Sequence, residues 1–225
     1  MASLTKYFNL MKEHPQLFIN PDEEGVIKII TDHEKIRTLQ AKLKKEYKES
    51  GKKSEWIDIG VLSEDSWFWV LRDLVEFPDG KIGGYLRVLN RKTLDGGTNV
   101  VIMAVQENKV LLLKHFRHET RNWHWEFPRG FGEPGFTPEQ SVMDELKEEV
   151  NLLPQNLMEI GKISDVDGET FFYYAKLENG KPSKPTGEAI QHIELIDFDE
   201  LENWIFNGKI TDWFTIMAFM MYKNQ

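Results

Sequence analysis

Four carboxylates stand within six residues of this chain. They are Asp144, Glu145, Glu148 and Glu149, in the run DELKEEVNL, with Lys147 as the only cation among them. On a helix, Glu145, Glu148 and Glu149 fall at i, i+3 and i+4 and share one face. Asp144 lies beside that face, next to Glu148. Like charges at this spacing repel one another. Gathering them becomes useful where a hard divalent cation binds, because magnesium takes carboxylate oxygens, waters and phosphate oxygens together. The preceding stretch, GFGEPGFTPEQ (Gly130 to Gln140), is rich in glycine, and glycine lets backbone approach a ligand closely. The pair of features suits a diphosphate bridged by metal to a helix. The carboxylate run by itself suits a plain solvent-facing helix better, since glutamate is a good helix former.

The elements that must position these residues are readable in outline. Thr137 is a candidate N-cap, Pro138 a first helical residue and Gln140 a capping-box partner, so a helix is predicted from there to about Asn151. Ahead of it, VVIMAV (Val100 to Val105) and VLLLKHFR (Val110 to Arg117) are short apolar runs that suit central strands, with a turn at QENK. Behind it, LMEIGKIS, TFFYYAKL and IQHIELIDF read as strands, the first two separated by DVDGE. Asp199 to Asn207, stopped by Gly208, and Asp212 to about Lys223 read as closing helices. At the other end, Tyr7 to Glu13 and Asp32 to Lys48 read as helices. Trp67 to Phe77 and Lys81 to Leu89 form a hairpin around Pro78, Asp79 and Gly80. RKTLDGGTN, ending at Asn99, reads as a linker. We expect two regions, residues 1–95 and 96–225, and an α/β or α+β layered fold.

Composition narrows the function classes. A net charge of −9 argues against a nucleic-acid surface, which is usually basic. The basic run from Ile36 to Lys48 reads as the solvated face of an amphipathic helix. There is no cysteine, which excludes disulfides and thiolate metal sites. No apolar run approaches the roughly 20 residues that span a bilayer. The segment MASLTKYFNLMKEHPQ lacks a signal-peptide pattern. These features predict a soluble, cytoplasmic protein with no membrane or nucleic-acid partner.

The unit WEFPRGFGEPGFTPEQSVMDELKEEVNL (Trp125 to Leu152) resembles the signature of the Nudix hydrolases, G-x5-E-x7-R-E-U-x-E-E-x-G-U, where U is bulky and apolar. Gly130, Glu145, Leu146, Glu148, Glu149 and Leu152 match in register. Phe136 stands for the first glutamate, Asp144 for the arginine and Asn151 for the second glycine. Asparagine tolerates the left-handed conformation of a helix end. Asp144 is the larger departure, because the family's arginine orients the glutamates by ion pairing. Arg129 is the cation expected to replace it. Outside this unit, WEFPRG, the strand carrying Phe116 and Arg117, and the segment GKITDWFTIMAFMM resemble the ADP-ribose pyrophosphatase branch, over roughly Ser63 to Lys223. No counterpart is seen for residues 1–50.

The resemblance implies a Nudix α/β/α sandwich with a mixed sheet, preceded by an N-terminal helical segment and an antiparallel dimerisation sheet. It implies hydrolysis of the diphosphate of ADP-ribose or a related nucleoside diphosphate sugar, with magnesium, or manganese in its place. Glu145, Glu148, Glu149 and the backbone carbonyl of Arg129 are the implied metal ligands. The implied general base is Glu188, on the loop TGEAIQHIEL, with Glu149 as the alternative. Arg117, Glu126 and Arg129 are the implied contacts to substrate phosphate or ribose. Trp123 and Trp125 are read as packing residues first and base-stacking residues second. His115, His118 and His124 are read as solvent-facing or packing. A homodimer through the Trp67–Leu89 hairpin, with a swapped or intertwined sheet, is also implied. A catalytically silent nucleotide-sugar binding module is the alternative function, kept open by Asp144. A structural interaction protein, resting on the N-terminal helices alone, is a third.

Overall fold

The computed structural model describes residues 2–165 and 168–225, with Asp165 described by its backbone only. The DVDGE turn expected between two strands therefore lies partly outside the described residues. The chain packs as two units, Met1–Arg91 and Lys92–Gln225.

The second unit is built on β5 (Asn99–Gln106), whose eight residues are all buried. Such a run needs cover on both faces, and alternation along the strand supplies it. Val100, Ile102 and Ala104 join a cluster with Val142 and Leu146 of helix α4 (Pro138–Glu149) and with its C-cap residue Val150. Val101, Met103 and Val105 join the opposite cluster, with Leu201 and Trp204 of α5 (Phe198–Phe206) and with Ala218 and Phe219 of α6 (Trp213–Lys223). The result is an α/β/α sandwich. Its sheet runs β11 (Ile190–Ile196), β6 (Lys109–Arg117), β5, β10 (Gly168–Leu177) and β9 (Pro154–Asp165). β5 and β10 are parallel and the other neighbours antiparallel, so the sheet is mixed.

β5 and β6 are joined by a tight turn in which Glu107 and Asn108 both take positive φ, 50° and 63°, the geometry of a two-residue hairpin. Two strands that the sequence did not announce complete this unit. β7 (Asn122–Glu126) pairs with β6, and β8 (Arg129–Phe131) pairs with β5.

Helix α4 begins as the sequence predicts. Thr137 Oγ1 accepts from Gln140 N, and Gln140 Oε1 accepts from Thr137 N, so two otherwise orphaned donors are satisfied reciprocally. It ends at Glu149 with Val150 as its C-cap, and Asn151 just beyond has a φ of 55°, the left-handed conformation that asparagine tolerates better than most residues.

The first unit holds α1 (Leu4–Glu13), β1 (Lys28–Ile29), α2 (His33–Glu49), β2 (Gly60–Glu64), β3 (Phe68–Glu76) and β4 (Ile82–Asn90), followed by the short helix α3 (Arg91–Leu94) at the division. β3 is central. It pairs antiparallel with β1 and β2, and along its whole length with β4. Asp73, 1% exposed, fixes α1 to this sheet by accepting from Tyr7 Oη and from the Arg87 guanidinium. Among the described residues no helix is long and apolar enough to cross a membrane.

Candidate active site

Glu145 and Glu149 lie one turn apart on α4, on the side that meets β8. Gly130 makes the approach possible: a Cβ there would stand 1.9 Å from Glu145 Oε1. Only a residue without a side chain allows that carboxylate against the strand. Glu149 is 5% exposed and accepts a hydrogen bond from the Arg129 backbone N–H at 3.2 Å.

Burial first, then repulsion from Glu145 and Glu126, pushes the Glu149 carboxyl well above the ordinary carboxylate range. Burial also raises Glu145, with Glu148, Glu188 and Asp144 adding to it, to about 7. Glu188, on the loop before β11, is thus among the charges that bear on Glu145. Asp144 and Glu148 are exposed. The cation opposing the shift at Glu145 is Lys92, a residue in the segment that reads as a linker.

The expected replacement of the motif arginine by Arg129 is not what the structure shows. β8 pairs Arg129 with Val101, a residue of the α5/α6 face. Strand alternation therefore turns the Arg129 side chain away from α4. Its guanidinium lies over the Phe214 ring, with Nη2 3.3 Å from Asp212 and 3.6 Å from Glu126. Only its backbone reaches Glu149.

Glu126 is the centre of a second cluster. It is 1% exposed and receives both Nε and Nη2 of Arg117. Burial works to raise it, but His115, Arg117 and Arg129 outweigh burial and hold it below the usual range. His115 is itself buried, with Nδ1 2.9 Å from Glu126, so it is neither solvent-facing nor simple packing. Asp212 caps α6 by accepting from Thr215 N and Oγ1, and Thr215 Oγ1 in turn accepts from Phe127 N. That relay ties the WEFP segment to the last helix. Trp125 tilts against Trp204 and Trp123 meets Phe116 edge-on; both pack.

A cavity of about 420 Å³ adjoins this cluster, lined among others by Arg117, His118, His124, Arg129, Asp212 and Trp213. His124 Nε2 is 2.7 Å from Thr120 Oγ1, and His118 Nδ1 is 2.8 Å from Arg121 Nη1.

Among the described residues no three carboxylate or imidazole side chains converge tightly enough to make a ready metal cage. Magnesium does not need one, because it is usually held by one or two carboxylates with waters and substrate phosphate. A buried and a half-buried carboxylate that repel each other against a glycine-opened backbone fit that requirement.

Comparison with known proteins agrees with this architecture. A solved structure described as that of an ADP compounds hydrolase superposes with a TM-score of 0.60 at 16% identity, covering 73% of this chain and 89% of that one. That likeness is one of fold. The family description NUDIX domain matches residues 96–214, a span that takes in β5, the Gly130 loop, α4, Glu188 and Asp212. More than half of the chain lies in that match, and the chain belongs to the Nudix family.

Proposed function

We propose that this protein is a divalent-metal-dependent pyrophosphohydrolase of the ADP-ribose pyrophosphatase branch. Its substrate would be ADP-ribose or a related nucleoside diphosphate sugar, and its products a nucleoside monophosphate and a sugar phosphate. The observation that carries the reading is the half-buried Glu145 and buried Glu149 lodged against the Arg129–Gly130 backbone. A fold has little use for such repulsion unless a cation relieves it.

Magnesium or manganese, when bound, would neutralise charge on the diphosphate and on the attacked phosphorus. Glu145 and Glu149 would hold it, with Glu148 and the Arg129 carbonyl as further oxygens. Glu188 would accept the proton of the attacking water, with Glu149 as the alternative base. Water adds its oxygen to one phosphorus as the bridging P–O bond breaks, so both products leave as phosphate monoesters.

Arg117, Glu126 and Arg129 would orient the substrate from the neighbouring cluster. Because Glu126 and Asp212 already balance the two guanidinia, the cavity beside them suits a neutral polar group better than another phosphate. Its imidazoles, its threonine hydroxyls and the half-exposed Trp213 ring are the kinds of groups that hold a sugar.

The decisive experiment incubates purified protein with ADP-ribose. AMP and ribose 5-phosphate should form with magnesium and not with a chelator. The second reading, a silent binding module, is favoured by Asp144; it predicts saturable binding of ADP-ribose with no product. We further propose a homodimer through residues 56–90.

A further inference from the structure

The cavity of about 420 Å³ is walled by two loops of the second unit. One is the β6–β7 turn, which supplies His118, Glu119 and Thr120 and closes at Arg121 with a φ of 55°. The other leads into α6 and supplies Thr211 and Asp212, followed by Trp213. His124 ties the two loops together, with Nε2 2.7 Å from Thr120 Oγ1 and Nδ1 3.5 Å from Thr211 Oγ1. Trp213 is the first residue of α6, and the Asp212 cap fixes where that helix starts. The Trp213 and Phe214 ring centroids are 3.6 Å apart with planes at 29°, and the Arg129 guanidinium lies 4.8 Å from the Phe214 centroid. An indole stacked on its neighbour, yet 47% exposed beside a cavity, adds little to the core. It offers a flat apolar surface.

We propose that Trp213 is the specificity platform of this cavity, on which the distal sugar of the substrate stacks while the loop groups bind its hydroxyls. The face of an aromatic ring is electron-rich, so it attracts the positively polarised C–H groups on one side of a sugar ring. The remaining lining suits the hydroxyl-bearing edges. Arg121 Nη1 can only donate to His118 Nδ1, 2.8 Å away, so the neutral His118 ring carries its proton on Nε2 and donates there. Thr120 and Thr211 bring hydroxyls that give or take, and Glu119 accepts. The guanidinia of Arg117 and Arg129 meet the carboxylates of Glu126 and Asp212, and Glu119 adds another, so the lining holds no surplus positive charge for a further phosphate. The volume is at the small end of the roughly 300–1,000 Å³ of small-molecule sites, which suits one ring.

This assignment rests on the substrate being a nucleoside diphosphate sugar; it does not need hydrolysis. Titration calorimetry in chelator tests it, with ADP-ribose and with ADP, which lacks the distal sugar. Trp213→Ala should weaken ADP-ribose binding about tenfold and change ADP binding by less than about twofold. Trp213→Phe keeps a ring face and should keep most of the affinity. In magnesium, Trp213→Ala should raise KM for ADP-ribose by a similar factor with kcat within about twofold, the mark of binding shared by ground and transition states. Equal affinity of wild type and Trp213→Ala for ADP-ribose, equal losses for ADP-ribose and ADP, or a wild type that binds no ADP-ribose would overturn the proposal. Diadenosine diphosphate binding more tightly than ADP-ribose through Trp213 would also overturn it, by putting a nucleobase on the ring. If Trp213→Ala does not fold, Thr211→Val decides: a loss confined to ADP-ribose supports the proposal, and no loss overturns it. If AMP forms but Trp213→Ala keeps the wild-type KM, the hydrolase reading stands and this one falls. If no product forms but the calorimetric pattern holds, the hydrolase reading falls and the role of Trp213 stands.

Discussion

Glu149 has few ways to be a carboxylate in the position it occupies. It is almost fully buried, faces two other acids and receives one backbone N–H. Burial and the neighbouring acids disfavour its charged form, and a bound cation would offset that cost. Glutamine keeps the shape and removes the charge that a hard cation requires. Glu149→Gln is therefore expected to lower kcat at saturating magnesium by roughly 100-fold or more, about 2.7 kcal/mol of transition-state stabilisation. Turnover at the wild-type rate would remove Glu149 from the mechanism.

Glu145 gives a signal that needs no substrate. Its carboxyl is raised from 4.5 to about 7 in the folded chain. Between those values the folded state keeps a proton that the unfolded state has released. Stability is then fully present below pH 4.5 and is lost as the pH rises through 7. The loss is at most about 3.5 kcal/mol, each pKa unit being worth ~1.4. In chelator the melting temperature should fall from pH 5 to pH 8, Glu145→Gln should flatten the slope, and magnesium should cancel it. Glu126, shifted the other way, loses its stabilisation only in acid below that window. A melting temperature that rises with pH in chelator would mean these carboxylates are not repelling one another.

At the scale of elements, the site is a strand laid against a helix, with Gly130 as the contact point. Gly130→Ala puts a methyl where the Glu145 carboxylate now rests. A carboxylate at the end of a flexible side chain can move, so the fold should lose little, roughly 1–2 kcal/mol. Activity should fall far more. Parallel measurement of melting temperature and kcat checks this, and equal small effects on both would show the contact to be incidental.

The same scale explains what the sequence disclosed. Helix α4 was legible because Thr137, Pro138 and Gln140 signal its start locally. The strands β5 and β6 were legible because doubly covered strands read as apolar runs. β7 and β8 were not, because five and three residues of mixed character become strands only by pairing with β6 and β5. The direction of Arg129 depends on the register of that three-residue strand, which no local pattern encodes. His115 reached Glu126 across a hairpin.

For the whole molecule, the first unit poses a question of assembly. β3 is paired on both sides, but no further strand of its sheet pairs with the outer edge of β4 among the described residues. That edge is nine residues long, and the register places Leu86 and Val88 opposite Arg72 and Val70 on one face, with Phe68 on the same face. Phe68, Leu86 and Val88 are 40%, 50% and 47% exposed. A long apolar edge strand is what soluble proteins blunt with charge or proline, and neither interrupts it between Ile82 and Leu86. Exposed apolar surface of this kind is commonly covered by a partner, and a second copy of the chain needs no other component. We therefore expect light scattering at micromolar concentration to give twice the chain mass. Leu86→Lys with Val88→Lys should give one chain mass without loss of the fold, since neither side chain is in the core. A monomeric wild type would remove the interface altogether. A dimer untouched by both lysines would place it on a surface other than β4.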